Sequence, residues 1–359
     1  MTRWLLPIVC LTIAAAGFPA RAQLGPSIDE KSTLVEGLVV RAFGGPPWWK
    51  VQTGDRTVFV LASPGSVPKD LKFDQKLLDR RIKGANTVIV APRLTYNSYD
   101  PANVPPLTRL FQEMNQLRQS DLEPSLSPPL RERFAKARAA IRQPETRYGA
   151  LTPGLAGMAL AADAAIIRSA KDDSLPSLAV LDVIEASARR ARVKVEPARA
   201  YGPETLSAIL EEARKSDEAC LTAVLDQLAQ PPNEEETPDR LRAVAGAWAE
   251  GDVRPLLDNI RRAGDRRALL FTFARQDPVR HDDQVVNLRI YEKACIAEMP
   301  TLRRLQQQLV GDQVAAIERA LAKPGYSVAV LDAGVLLVSG GVLDQLRQKG
   351  FTVTPPDAN

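Results

Sequence analysis

One histidine in 359 residues is the first constraint on the chemistry this chain can do. His281 stands among Asp277, Asp282 and Asp283. With one His and three Cys in the whole chain, a site needing two His or four Cys ligands cannot be built within it. Adjacent residues on a helix or strand point apart, so Asp282 and Asp283 do not converge simply with His281. It reads as a surface or helix-capping residue, against the alternatives of a metal ligand or a general base. Ser63 follows the apolar run Thr57–Leu61, and the ends of such strands are where active-site residues gather in open α/β sheets. A serine nucleophile needs a base and an oxyanion hole. No Gly-x-Ser-x-Gly elbow surrounds Ser63. Lys69 would be its base in a Ser–Lys arrangement, and the plainer alternative is a loop serine beside Pro64. Trp48 and Trp49, next to Pro46-Pro47, offer a stacking surface of the kind that binds carbohydrate. On a strand they point to opposite faces, so one joins the core and the other covers the far face or meets a ligand. Gly340-Gly341 precedes a helical stretch but lacks the lysine and spacing of a phosphate loop, and reads as a turn.

The elements that must position these residues come next, beginning with the compartment. Residues 1–22 read as a secretory leader: Arg3 is basic, Leu5 to Ala16 is apolar, and Ala20-Arg21-Ala22 is a small-x-small cleavage site. The apolar run is shorter than the roughly 20 residues that a membrane span needs. Cleavage leaves no transmembrane span and places the chain in the periplasm or outside the cell. Without Arg3 and Arg21, 45 basic residues stand against 43 acidic ones, a net charge of about +2. Basic clusters such as Arg189-Arg190-Ala191-Arg192 alternate with acids and read as solvated helix faces, so no nucleic-acid partner is expected. Cleavage also removes Cys10 and leaves Cys220 and Cys295. An isolated pair in an oxidising compartment favours a disulfide, and its loop of about 75 residues is worth roughly 4 kcal/mol on the chain-entropy model. Two buried thiols are the alternative.

The apolar fraction is 45% and the charged fraction 25%, ordinary globular values that exclude a disordered or polytopic membrane chain. Residues 23–33 are polar and read as a flexible N-terminus. The runs at Leu38-Val39-Val40, Trp48–Gln52 and Thr57–Leu61 read as strands, with Gly54-Asp55 as the hairpin turn between the last two. A helix is expected over 72–82. The continuous apolar run Thr87–Val90 fits a buried central strand. Helices follow at 106–119, 129–142, 154–171, 178–192, 203–215, 217–229, 240–250, 253–263 and 301–322, with a short strand at Val193–Glu196. The chain ends in strands at Ser327–Leu331 and Val335–Val338, a helix over 342–349 closed by Gly350, and a last strand Phe351–Val353. The expected fold is α/β (α+β): a mixed sheet from the N- and C-terminal segments, with a helical region inserted over about 105–322, all within one domain spanning 34–356.

Two regions together resemble the TraB/GumN family, which includes the animal Tiki proteins. The first is Trp48-Trp49-Lys50-Val51, the turn Gly54-Asp55, the strand Thr57–Leu61, and Pro68. The second runs from Ser327 to Val353 and holds Gly341-Val342-Leu343 and Gly350-Phe351-Thr352-Val353. Between them, Trp248 to Gly251-Asp252 is similar to the family's Trp-x-x-Gly-Asp helix junction, and Glu196 falls where the family has a glutamate on a short strand. In Tiki-like members the resemblance implies a metal-binding, catalytic centre built on two Gly-x-x-His motifs and acidic residues. This chain departs from that pattern. It reads Ala62-Ser63-Pro64-Gly65 and Asp332-Ala333-Gly334-Val335 at the two motifs, which puts Gly65 and Val335 at the histidine positions. It reads Ala91-Pro92-Arg93 where the family carries Glu-x-Asp.

Gly65, Ala91 and Val335 are therefore expected to be the degenerate site positions, with Ser63, Arg93, Glu196 and Asp332 lining the remaining cleft. An Arg93–Asp332 salt bridge is one way to satisfy that cleft. Glu196 has the plainer alternative of capping a helix. No cofactor and no metal are expected. The functional expectation is an exported, catalytically degenerate relative that binds an envelope protein or polysaccharide, or acts structurally. The alternative is an active hydrolase or peptidase using other residues.

Overall fold

The computed structural model describes residues 45–96, 122–149, 151–171, 177–215, 218–229, 238–263, 269–276, 283–290 and 299–356, with residues 108 and 112 as isolated helical positions. The leader over 1–22, the segment 23–33, the run at Leu38, most of the helix expected at 106–119, His281 and Cys295 lie outside the described residues.

Twelve strands are seen among the described residues: β1 (Trp48–Thr53), β2 (Arg56–Ser63), β3 (Ser66–Pro68), β4 (Val88–Val90), β5 (Arg93–Tyr96), β6 (Ser177–Ala179), β7 (Val195–Pro197), β8 (Ala200–Tyr201), β9 (Leu269–Gln276), β10 (Asp283–Ile290), β11 (Tyr326–Asp332) and β12 (Thr352–Thr354). The helices are α1 (Gln75–Ile82), α2 (Leu122–Ser125), α3 (Pro128–Ala140), α4 (Pro153–Lys171), α5 (Val180–Ala191), α6 (Pro203–Lys215), α7 (Ala219–Ala229), α8 (Pro238–Ala249), α9 (Arg254–Ala263), α10 (Pro300–Leu321), α11 (Ala333–Leu336) and α12 (Val342–Gln348).

The main sheet has the order β12-β1-β2-β11-β4-β7. Gly54, at φ +59°, and Asp55 close the β1–β2 hairpin, and β12 adds to β1 antiparallel. The other four strands run parallel, with β11 inserted between β2 and β4. The apolar runs at β4 and β11 explain their central positions: a strand covered on both faces buries every side chain. All three residues of β4 and the middle five of β11 are buried. The expected sheet from the two ends of the chain is thus seen, with β7 from the intervening region as its far edge.

Alternation along β1 sends Trp48 and Trp49 to opposite faces, and both are buried. Arg81 of α1 lies over the Phe59 ring at 4.0 Å and the Trp48 ring at 5.9 Å. The second tryptophan is therefore covered by the fold itself.

Helices fill the middle of the chain as expected, but that region also carries strands. A second sheet has the order β10-β9-β5-β8, and β3 pairs with β6. A separate helical core gathers Leu122, Phe134, Tyr148, Leu160 and Leu221. There α4 and α7 approach closely enough that a Cβ on Gly157 would stand 3.0 Å from the Leu221 Cα. The amphipathic helix α10 joins the two cores. Leu302 and Leu305 belong to the helical one, while Val314, Ile317 and Leu321 belong to the one around the sheet. Its first turn is capped from α6, where the Glu212 carboxylate accepts from the Thr301 N–H at 2.9 Å and from its hydroxyl at 2.7 Å.

One expected strand is not a strand. Val335 and Leu336 lie in α11 and Leu337-Val338 follow its end, because the Asp332 carboxylate accepts from the Gly334 N–H at 2.7 Å and starts a helical turn. A short apolar run does not distinguish a buried strand from a buried helical turn.

Candidate functional site

The parallel strands bring their carboxyl ends to one rim, the usual place for ligands in an open α/β sheet. In register, Ser63 at the end of β2 is the Cα partner of Asp332 at the end of β11. Val90, just before Ala91, pairs with Val330 on one side and Pro197 on the other. Ser63, Gly65, Ala91, Asp332 and Val335 therefore lie at or just beyond this edge.

Local geometry shows how each of these positions is used. Ser63 is buried, and its Oγ accepts from the Gly65 N–H at 3.1 Å. The serine thus closes its own turn, while Lys69 is exposed beyond β3. Gly65 sits at φ +86°, where any L side chain is strained even though the space around it is open. Its carbonyl accepts from the Val180 N–H at 3.0 Å and ties the rim to the start of α5. On the neighbouring strand Asp332 does what Ser63 does on β2, bonding the N–H two residues on. Val335 packs half-buried against the sheet core.

Arg93 departs from expectation. It does not reach across to Asp332 but pairs with Glu185 on α5. Arg93 is buried and Glu185 partly so, with side chains 6% and 15% exposed, and the Arg93 Nε has no hydrogen-bond partner among the described residues. Glu185 lies in the stretch 178–192 expected to be a helix and belongs to no motif, so nothing in the sequence singled it out. Glu196 does not line this rim. Its carboxylate pairs with Lys194 at 2.7 Å. The Lys194 hydrogen bond holds that carboxyl below its usual range against the opposing effect of burial, with help from Lys323 and Thr87. Those three partners mark the amino ends of the strands, so Glu196 faces away from Ser63 and Asp332.

Trp248 gains a definite role. Its indole N–H, fully buried, donates to the Ala62 carbonyl at 2.7 Å, and its ring meets Phe73 edge to face at 5.5 Å. The helix carrying it ends in a Schellman turn. Gly251 at φ +88° bonds the Trp248 carbonyl, and the Asp252 N–H bonds that of Ala247. Arg254 then holds the Asp252 carboxyl below its usual range. The Trp-x-x-Gly-Asp sequence is thus a device that ends α8 and pins the last turn of β2.

A divalent metal needs three or more N, O or S donors. Gly65, Ala91 and Val335 carry none, Asp332 is engaged by Gly334, and Arg93 is a cation. Among the described residues no three His, Cys, Asp or Glu side chains form a group able to hold a metal ion. The residues present do not fit the metal that the resemblance implied. Cys220 is buried in α7 with its Sγ 3.6 Å from the Gly154 carbonyl oxygen.

A sequence profile of the TraB/PrgY/gumN family matches residues 47–355, from the first hairpin strand to the end of β12. The chain belongs to the TraB/PrgY/gumN family. No curated protein and no solved structure matches it. Among the described residues no helix is long and apolar enough to cross a membrane.

Proposed function

We propose that this chain is an exported, non-metal member of its family, catalytically degenerate, that acts as a binding or structural component of the cell envelope. The observation that carries the reading is the buried Arg93–Glu185 pair beside Ala91. A guanidinium already neutralised by its own carboxylate stands where metal-binding relatives are expected to carry acids, and a cation there repels a second one. Gly65 and Val335 support the same reading, since neither can ligate. Gly65 also has a backbone conformation that disfavours any larger residue. Ser63, Arg93 and Asp332 are then structural lining, each engaged within the protein by Gly65, Glu185 and Gly334, and Glu196 belongs to the opposite end of the sheet. The reading includes removal of residues 1–22 and a Cys220–Cys295 bridge.

The test is metal content and hydrolysis on the purified protein. Elemental analysis is expected to find substoichiometric divalent metal, and peptide substrates are expected to survive with or without added zinc or manganese. Stoichiometric metal, or cleavage that depends on it, overturns the reading. A hydrolase activity abolished by Ser63→Ala would instead favour an active enzyme using residues outside the family pattern.

A further inference from the structure

The amino ends of the same parallel strands carry a different chemistry. Here α1, α5 and α10 end and the chain turns into β4, β7 and β11. These turns are laced into one surface. The Tyr326 hydroxyl donates to the Lys83 carbonyl. The Asn86 N–H donates to the Tyr326 carbonyl at 2.8 Å, and its amide to the Pro324 carbonyl at 2.7 Å. The Val88 N–H donates to the Lys194 carbonyl at 2.8 Å. Six basic residues project from the turns: Lys83, Arg189, Arg190, Arg192, Lys194 and Lys323, all exposed. Against them stand Asp79, paired with Arg190 at 3.0 Å, Glu196, paired with Lys194, and Asp55 at the hairpin turn. Lys83, Arg192 and Lys323 make no ion pair among the described residues.

Basic residues near helix C-termini complement the helix dipole, and that alone accounts for some of them. It does not account for Arg192. This residue sits at φ +57° as the left-handed cap of α5, where Gly or Asn is the usual choice. A non-glycine residue there is strained. Its guanidinium gains no ion pair among the described residues in return. Arg142, just past the end of α3, is strained alike at φ +54°, so what sets Arg192 apart is its place among the other basic residues of this edge.

We infer that this basic edge docks the protein electrostatically on an anionic phospholipid bilayer. The charges come from turns side by side at one end of one sheet, and their sign is complementary to an anionic bilayer surface. Leu241, the exposed large apolar side chain of the described residues, belongs to α8 and not to this edge, so docking needs no insertion. The inference is independent of the reading of the carboxyl-end rim. A metal found there would overturn that reading and leave this one standing.

The test is co-sedimentation of the full chain with phosphatidylcholine vesicles with and without phosphatidylglycerol. Binding is expected only to the anionic vesicles and is expected to fall with added salt. The triple variant Lys83→Glu, Arg192→Glu, Lys323→Glu should lose at least about 100-fold in affinity, from roughly fivefold per basic residue at an anionic surface. A control reversing Arg133, Lys136 and Arg142 should leave binding unchanged. Arg192→Gly separates docking from a structural role. It should raise the urea midpoint by relieving the strained cap, and at the same time weaken binding. Equal loss in the control triple, binding indifferent to Arg192→Gly, or capture of soluble polyphosphate in preference to vesicles would overturn the inference.

Discussion

Removing one partner of the Arg93–Glu185 pair should damage the protein far more than removing both. The side chains are 6% and 15% exposed, so water solvates whichever charge remains only poorly. Glu185→Leu strands the guanidinium, whose Nε already lacks a partner among the described residues. Breaking a buried ion pair costs about 3–5 kcal/mol, whereas replacing both members with apolar residues of similar volume is often close to neutral. Glu185→Leu and Arg93→Met should therefore each cost about 3 kcal/mol or more, and the double variant less than about 1 kcal/mol. The coupling from the double-mutant cycle is then about 5 kcal/mol, well above the 0.5 kcal/mol within which independent sites add. In urea, with a slope of about 3 kcal/mol per molar, each single variant moves the midpoint down by about 1 M. Arg93→Asp, which restores an acid at this position, should be at least as harmful because it faces Glu185. It should be tolerated better when Glu185 is also replaced. Additive single effects, or a Glu185→Leu variant within about 0.5 kcal/mol of the parent, would refute the claim that this pair satisfies the rim.

Two further outcomes follow from polar groups buried elsewhere. Trp248→Phe keeps the ring against Phe73 but deprives the Ala62 carbonyl of its donor. It should cost roughly 1–3 kcal/mol in urea unfolding, with amide exchange rising at the end of β2. The second concerns acid stability. Burial pushes the Asp163 carboxyl up, but hydrogen bonds from Arg147 at 2.6 Å and 2.8 Å and from Tyr148 at 2.6 Å outweigh it and hold the group below its ordinary value. A carboxyl lowered in the folded state contributes stability that is present above its unfolded value of about 4 and is lost as pH falls through the folded one. The deficit of Asp163→Asn against the parent should accordingly be largest near neutral pH and shrink as pH falls below about 4, followed by urea unfolding at each pH.

The legible part of this fold was the part governed by local pattern. Thr57–Leu61, Thr87–Val90 and Ser327–Leu331 are apolar runs bounded by turns, and they became the three central strands β2, β4 and β11. Gly54-Asp55 gave the hairpin and Gly350 the end of α12 for reasons of backbone conformation alone. The β9–β10 hairpin was not read, because Leu269–Gln276 begins apolar and ends polar, with neither clean alternation nor a continuous run. At the rim, Ser63 and Asp332 could be brought together from the order of the strands. The partner of Arg93 could not, since Glu185 lies 92 residues away and no periodicity links a strand end to one polar position on a helix.

The two ends of the parallel strands differ in how fully their charges are used inside the protein, and that difference says where a partner can act. At the carboxyl ends Asp332 bonds its own turn and Arg93 is neutralised by Glu185, while Gly65, Ala91 and Val335 bring no polar side chain. A ligand arriving there must first break a bond the protein already makes, and breaking the buried pair alone costs about 3–5 kcal/mol. At the amino ends Lys83, Arg192 and Lys323 are solvated and without ion pairs among the described residues, so an anionic surface displaces little more than water and counterions. The balance favours recognition at the end of the sheet away from the positions where the family carries its Gly-x-x-His motifs. A lost active site at one edge is compatible with a retained interaction at the other, because the strands between them are buried and need not change for either.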